Sequence, residues 1–281
     1  MADHFAAFSF VDRITELVPG VRARAVFSVP PDVGAFSACL VAEAVGQLAA
    51  WAAMTQIDFR GRPVAALATE TLFHRDVAPG DRLQLAVEIE ACDDDAVAYG
   101  GVAEVEGARV IELRHCLGPM LPVADFDAPQ ALRERLRLLC GEGAPAGRFH
   151  GVVAPPLDAL ETNAGGSARA TLRVPQSAPF FADHFPRRPV FPATLLLDRQ
   201  IRLAMNLART AIEVPAGMKL LPQRMTHVKM RSFIEPGQVV QLAAELKTAD
   251  GAGMARLSAS VEGRSVATAR LEIATRKAPI A

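Results

Sequence analysis

Phe180-Phe181-Ala182-Asp183-His184-Phe185-Pro186-Arg187-Arg188-Pro189-Val190-Phe191-Pro192 is the stretch from which the rest of this 281-residue sequence is best read. Prolines at 186, 189 and 192 fix φ and delete backbone donors, which predicts a stiff loop. Such a loop holds its imidazole in one place, as a catalytic base requires. The alternative is an ordinary proline-rich connector with a structural histidine. A helix over 193–208 is expected immediately after Pro192. Its first amides form a partly positive site that would polarise an acyl carbonyl as an oxyanion hole does.

Nothing like this stretch occurs in the first half, although the two halves otherwise read as copies of one unit. The first has an extended start (9–29), an apolar helix (36–54) and strands around the turn Phe73-His-Arg-Asp-Val-Ala-Pro-Gly-Asp81. The second repeats the order with 168–174, 193–208 and Ser232-Phe-Ile-Glu-Pro-Gly-Gln238. Strand alternation follows each turn. Leu83, Leu85, Val87 and Ile89 oppose Arg82, Gln84, Glu88 and Glu90; Val240, Leu242, Ala244 and Leu246 oppose Gln241, Glu245 and Lys247. Val110, Ile111, Leu113 and Cys116 belong to a strand pairing back across Glu106-Gly107, while Asp250-Gly251 and Glu262-Gly263 are hairpin signals. Tight turns between neighbouring strands imply antiparallel pairing. Each unit is therefore expected to be α+β, one long helix wrapped by a curved sheet.

Glu43 is the only charge on the apolar helix 36–54. A carboxylate there must be neutralised, partnered or wet, because an unpaired buried charge costs several kcal/mol. A neutralised one becomes a proton donor; a structural carboxylate tied to backbone groups is the competing reading. Gln47, one turn on, shares its face and can bond either the acid or a ligand.

About half the residues are apolar and the formal charge is −1, so there is no global attraction to nucleic acid or anionic membrane. The N-terminal residues show no signal-peptide pattern. The run 33–54 is long enough to span a membrane, yet Glu43 and Gln47 interrupt it, so a central protein-buried helix is expected. Cys39, Cys92, Cys116 and Cys140 have no metal-ligand spacing and are expected to be reduced thiols of a cytoplasmic protein. Residues 125–147 form the connector: Asp127-Ala-Pro-Gln as a cap, 131–140 as an amphipathic helix, and a Gly-rich exit. Arg133, Arg135 and Arg137 are expected to make a solvated basic face, contact with an acidic partner being the alternative.

The run His184-Phe-Pro-Arg-Arg-Pro-Val-Phe-Pro-Ala-Thr-Leu-Leu-Leu-Asp198 resembles the signature of the β-hydroxyacyl-acyl-carrier-protein dehydratases, a hotdog-fold family with a HFPxxPVxPG loop and an acid fourteen residues after the histidine. Phe8-Ser-Phe-Val-Asp-Arg-Ile-Thr-Glu-Leu-Val18 resembles that family's opening. Leu40-Val-Ala-Glu43-Ala-Val-Gly-Gln47 resembles its LxxEAxxQ helix, and both Pro-Gly turns resemble its hairpin.

The resemblance implies a double hotdog, units 1–124 and 148–281 forming a pseudo-dimer within the chain, as a monomer or a higher homo-oligomer. It implies one site pairing His184 with Glu43, the Val190 carbonyl orienting the imidazole and the Ala193 N–H binding the thioester oxygen. The second site, Asp198 without a loop, should be dead. Ala193 stands where the family has Gly, Asp183 where it has Gly and Arg202 where it has Gln; an Asp198–Arg202 ion pair is expected to fill the unused site. The implied activity is dehydration of 3-hydroxyacyl thioesters in fatty acid or polyketide-type synthesis. The substrate brings phosphopantetheine from acyl carrier protein or coenzyme A, and no other cofactor is implied. Arg187 and Arg188 either meet an acidic carrier or are solvated loop charges. A hotdog thioesterase and a non-catalytic acyl-binding subunit are the rival readings.

Overall fold

The computed structural model describes residues 4–163, 166–249 and 251–277; residues 1–3 and Asp250 of the Asp250-Gly251 signal lie outside them. The chain runs β1 (Arg13–Val18), β2 (Arg22–Ser28), α1 (Ala38–Gln56), β3 (Gly61–Pro63), β4 (Leu67–Phe73), β5 (Arg82–Cys92), β6 (Ala96–Val105) and β7 (Ala108–Pro122). It continues through α2 (Pro129–Cys140), β8 (Leu157–Asn163), β9 (Ser167–Arg173), α3 (Ala193–Ala211), β10 (Met218–Met230), β11 (Val239–Ala249), β12 (Ala252–Val261) and β13 (Arg264–Lys277).

The strands form one antiparallel sheet in the order β1-β2-β5-β6-β7-β4-β10-β13-β12-β11-β9-β8, with β3 added beside β7. Read from either edge the order is the same, so β4 and β10 meet at a pseudo-twofold axis, Met225 opposite Thr71. The alternation expected of β5 and β11 is the one seen: Leu83, Leu85, Val87, Val240, Leu242, Ala244 and Leu246 are buried inside the curve. α1 and α3 run through the two concave faces and contact each other. Ser37 caps α1 by accepting from Leu40 N–H at 3.4 Å. α1 is long and apolar enough to cross a membrane, but its apolar residues from Cys39 to Met54 are largely packed inside the protein.

Both Pro-Gly turns are built alike. Gly80 (φ +90°) donates to Val29 O at 3.0 Å, and Gly237 (φ +82°) donates to Val174 O at 3.2 Å. Their positive φ explains why glycine is needed there. Phe36 then bridges to Val77, as Phe191 N–H donates to Ile234 O. Seven residues take the chain from Val29 to Phe36, and seventeen from Val174 to Phe191. The halves therefore differ by a ten-residue loop inserted between equivalent anchors.

Three parts of the chain depart from expectation. The extended start is a hairpin, β1 turning into β2, and its counterpart β8 was not foreseen because Leu157-Asp-Ala-Leu-Glu-Thr-Asn163 is an edge strand exposed along most of its length. Asp127 does not cap α2; Ala128 occupies the cap position with no side-chain bond, and Pro129 opens the helix. Nor is the basic face wholly solvated. Arg135 is 8% exposed and ion-pairs with buried Asp127, while Arg133 donates to Asp58 O at 2.9 Å. Leu132 and Leu139, three residues before and four after Arg135, are buried on its side.

Candidate active site

His184 follows a short 3₁₀ turn (Pro179–Ala182), and its backbone N–H closes that turn on Phe180 O at 2.9 Å. The ring Nδ1 lies 3.2 Å from Val190 O. A carbonyl only accepts, so Nδ1 carries the proton and Nε2 keeps a free lone pair. Phe185 stacks on the imidazole at 4.1 Å between centroids and 22° between planes, while Phe8 meets it edge-on at 5.2 Å. Burial pushes the His184 pKa below the ordinary histidine value; Glu43 and the Val190 carbonyl oppose this, and the Arg62 charge reinforces it. The ring is thus neutral at neutral pH.

Glu43 is partnered. Oε2 accepts from Thr194 Oγ1 at 2.8 Å and Oε1 from Gln47 Nε2 at 3.1 Å. Thr194 is the second residue of α3, so this bond ties the first-half helix to the start of the second-half helix. Ala193, the first residue of α3, lies beside it, and α3 begins without a side-chain cap over its amides.

Gln47 does more structural work than a ligand contact alone implies. Its Nε2 also donates to Phe8 O at 2.9 Å, and its Oε1 accepts from Phe10 N–H at 2.8 Å. The next anchor on that segment is Asp183, whose Oδ2 accepts from Phe8 N–H at 2.9 Å and Ala7 N–H at 3.3 Å. Burial raises the Asp183 pKa, but His4 and these two amides outweigh it and hold the carboxyl below its usual range. Residues 7–10 are therefore strapped between the histidine loop and α1, with Phe8 pressed against His184.

His184, Glu43, Gln47, Val190, Ala193 and Thr194 line one cavity of about 230 Å³. Its wall along α1 is made by Ala42, Gly46 and Ala50, small residues one turn apart, and apolar residues such as Val64 and Leu113 complete it. A largely apolar cleft with a few convergent polar groups is the usual form of a small-molecule site. Arg187 and Arg188 flank it on the exposed loop. Arg187 Nη1 donates to Ala124 O at 2.9 Å, and Arg188 lies over the rings of Phe233 (4.9 Å) and Phe126 (5.9 Å).

The symmetry-related corner is filled. Asp198 occupies on α3 the position that Glu43 occupies on α1, but it pairs with its neighbour Arg199, not with Arg202 as expected. Arg202 points to solvent. Arg199 also reaches Pro155 O at 3.5 Å. Where the histidine loop is missing, Phe149 packs at 5.4–6.4 Å against Phe10, Phe27 and Phe36. Sequence reading missed this plug, along with Thr194, Arg62 and the strap. Thr194 was the most readable of them, lying next to Ala193 in the motif itself.

Residues 160–270 match the family model of the ApeI-like dehydratases. The 3-hydroxyacyl-[acyl-carrier-protein] dehydratase FabZ of Bacillus subtilis is 33% identical over 128 residues, 41% of this chain and 91% of that protein. The FabZ of Symbiobacterium thermophilum is 36% identical over 99 residues, 31% of this chain and 70% of its own. Among solved structures, the dehydratase domain of PpsC from Mycobacterium tuberculosis, in complex with C12:1-CoA, superposes with a TM-score of 0.55 at 15% identity, covering 96% of this chain and all (100%) of that one. The 12:0-ACP thioesterase of Umbellularia californica gives 0.56 at 11%, covering 91% and 94%. At such identities both speak for the shared double-hotdog fold alone. The relatives in sequence go further: the chain belongs to the 3-hydroxyacyl-[acyl-carrier-protein] dehydratase family and is a FabZ-like hydro-lyase.

Proposed function

We propose that this chain dehydrates 3-hydroxyacyl thioesters, carried on the phosphopantetheine of an acyl carrier protein, to trans-2-enoyl thioesters at one site per chain. The observation that carries the proposal is the convergence of His184 and Glu43, from opposite halves, on one cavity. The thioester oxygen binds the Ala193 N–H at the start of α3, where the helix dipole favours the negative charge that develops on it. His184 Nε2 takes the α-proton and becomes imidazolium. The C–O bond to the 3-hydroxyl breaks as Glu43 protonates that oxygen, and water leaves. Proton return from His184 to Glu43 through water resets the pair. Thr194 and Gln47 hold the Glu43 carboxyl in place throughout.

In this reading residues 1–124 and 148–281 are the two units and 125–147 the connector. Arg187 and Arg188 offer positive charge beside the cavity to an acidic carrier. The test is incubation with 3-hydroxyacyl and saturated acyl thioesters, on carrier protein and on coenzyme A, following both 2-enoyl product and free thiol. Enoyl product from the hydroxyacyl substrate alone is expected. Thiol release without enoyl product would overturn the proposal in favour of a thioesterase.

A further inference from the structure

Arg62 belongs to no motif of the sequence, yet it is a cavity-lining residue one ring away from His184. Its guanidinium carbon lies 4.3 Å from the centre of the Phe185 ring, whose own ring is stacked on the imidazole. Cation, phenyl ring and imidazole thus form three layers, an attractive arrangement for a desolvated guanidinium over an aromatic face. Phe126 closes on the edge of Phe185 at 5.0 Å. The natural counter-ion, Asp127, is 3.8 Å from Arg62 Nη1, beyond hydrogen-bond reach, and that Nη1 is buried without a hydrogen-bond partner. Asp127 instead pairs tightly with Arg135 of α2. Buried Arg135 and partly buried Arg62 share one carboxylate, and the charge left over faces the Phe185–His184 stack.

Among the described residues, the other charges near His184 are accounted for. Glu43 of α1 faces it across the cavity; Asp183 of its own loop is tied to the amides of Ala7 and Phe8, with His4 3.8 Å away. Arg187 and Arg188 turn towards Ala124 and the two phenyl rings. Burial pushes the Arg62 pKa down to about 10, with Arg135 adding to the fall and Asp127 opposing it, so the group is still cationic at neutral pH. A cation at this position disfavours imidazolium.

We infer that Arg62, held over Phe185 by the connector residues Asp127 and Arg135, is a positioning residue that keeps the His184 ring flat and in its proton-accepting form. This rests on the proposal that His184 is the base. The connector helix is then part of the apparatus that sets the reaction, beyond joining the two halves.

The test is a charge series read two ways: titration of the His184 ring by NMR, assigned with H184Q, and kcat and KM against pH. R62M should move the ring titration to higher pH. The kcat loss should be roughly tenfold near pH 6 and fade towards pH 8, with KM changing by less than about twofold. R62K should restore the wild-type profile. R135M, which frees Asp127 to neutralise Arg62, should move the titration the same way, and D127N the opposite way. If R62M does not fold, the opposed shifts of R135M and D127N carry the test. An unmoved titration, shifts of one sign throughout, or a pH-independent loss in R62M that R62K fails to restore would overturn the inference. A titration that moves while the rate profile stays fixed would leave the stack standing and remove His184 as the base.

Discussion

The two ends of the α1–α3 helix pair are equivalent places in a symmetric sheet order and carry different groups. At one end a seventeen-residue path from Val174 to Phe191 delivers His184, and Glu43 waits on the opposite helix with Thr194 and Gln47 as partners. At the other, a seven-residue path from Val29 to Phe36 delivers no histidine, Phe149 fills the space, and Asp198 is spent on Arg199. Even the helix starts correspond. Thr194 touches Glu43, while its counterpart Cys39 sits near enough to Asp198 for the acid to help burial raise its thiol pKa. The repeated scaffold keeps its fold through the anchors the halves share, and in the proposed function one short loop decides which end does chemistry.

Removing the pair at the end proposed to do the chemistry should have the largest effect. H184A and E43Q should each lower kcat by about 10²–10⁴, the range for a positioned acid or base. The double variant should be no worse than the poorer single, because the groups act on one transition state. Additive losses would mean that they do not share a site. Circular dichroism and urea midpoints close to wild type would show that chemistry, not folding, was lost.

The next test attacks the plug. Phe149 is half-buried among three phenylalanines, so F149A should destabilise the chain by about 2 kcal/mol, less than the full cost of deleting a buried ring. Denaturant unfolding measures this. The kcat of the working end should change little; an equal fall in activity would mean that the two ends are mechanically coupled. A smaller effect is expected of T194V, which removes the donor to Glu43 while keeping shape. About a tenfold loss of kcat fits one hydrogen bond to a carboxyl, and T194S should recover most of it.

Much of this contrast was legible in the sequence because it is written in short local patterns. The histidine loop, the acid on an apolar helix and the repeated Pro-Gly turns each occupy a few neighbouring residues. What escaped depends on packing between distant segments. Nothing local tells that Arg62, in Phe59-Arg-Gly-Arg62-Pro63, lies over the Phe185 ring, or that Phe149 crosses to the first half. Arg135 is different, since its spacing held the answer. At 100° per residue it lies opposite Arg133 and Arg137 and level with Leu132 and Leu139, so the three arginines never formed one face.

Acid should separate the ends further. His184 takes up its proton at lower pH when folded than when unfolded, so between that point and about 6.5 the unfolded chain binds more protons. Stability should therefore fall as pH drops below about 6.5, and be untouched by this group above it. Asp183 works in a separate window: its depressed pKa adds stability above the unfolded value of about 3.9, lost only as pH falls through the folded value. Urea midpoints at about pH 5 and 7 should thus converge in H184Q but not in D183N. The acid limb of kcat/KM should lie below the ordinary histidine value, and a limb above it would contradict the burial of the ring.

The smallest effect is expected from the acid that the motif itself points to, fourteen residues beyond His184. Asp198 is mostly buried beside Arg199, so D198N should cost about 1 kcal/mol of stability by weakening one partly shielded ion pair. Its kcat/KM should stay within about twofold of wild type, because Asp198 is paired with Arg199 and Phe149 packs where the histidine loop is missing. E43Q, the same chemical change at the equivalent position of the other helix, is the internal control. Comparable losses in the two variants would mean that the plugged end still turns over, and that the missing loop did not decide between them. A silent D198N beside a dead E43Q would fix the working acid on α1, 141 residues before the histidine it serves and in the other half of the chain.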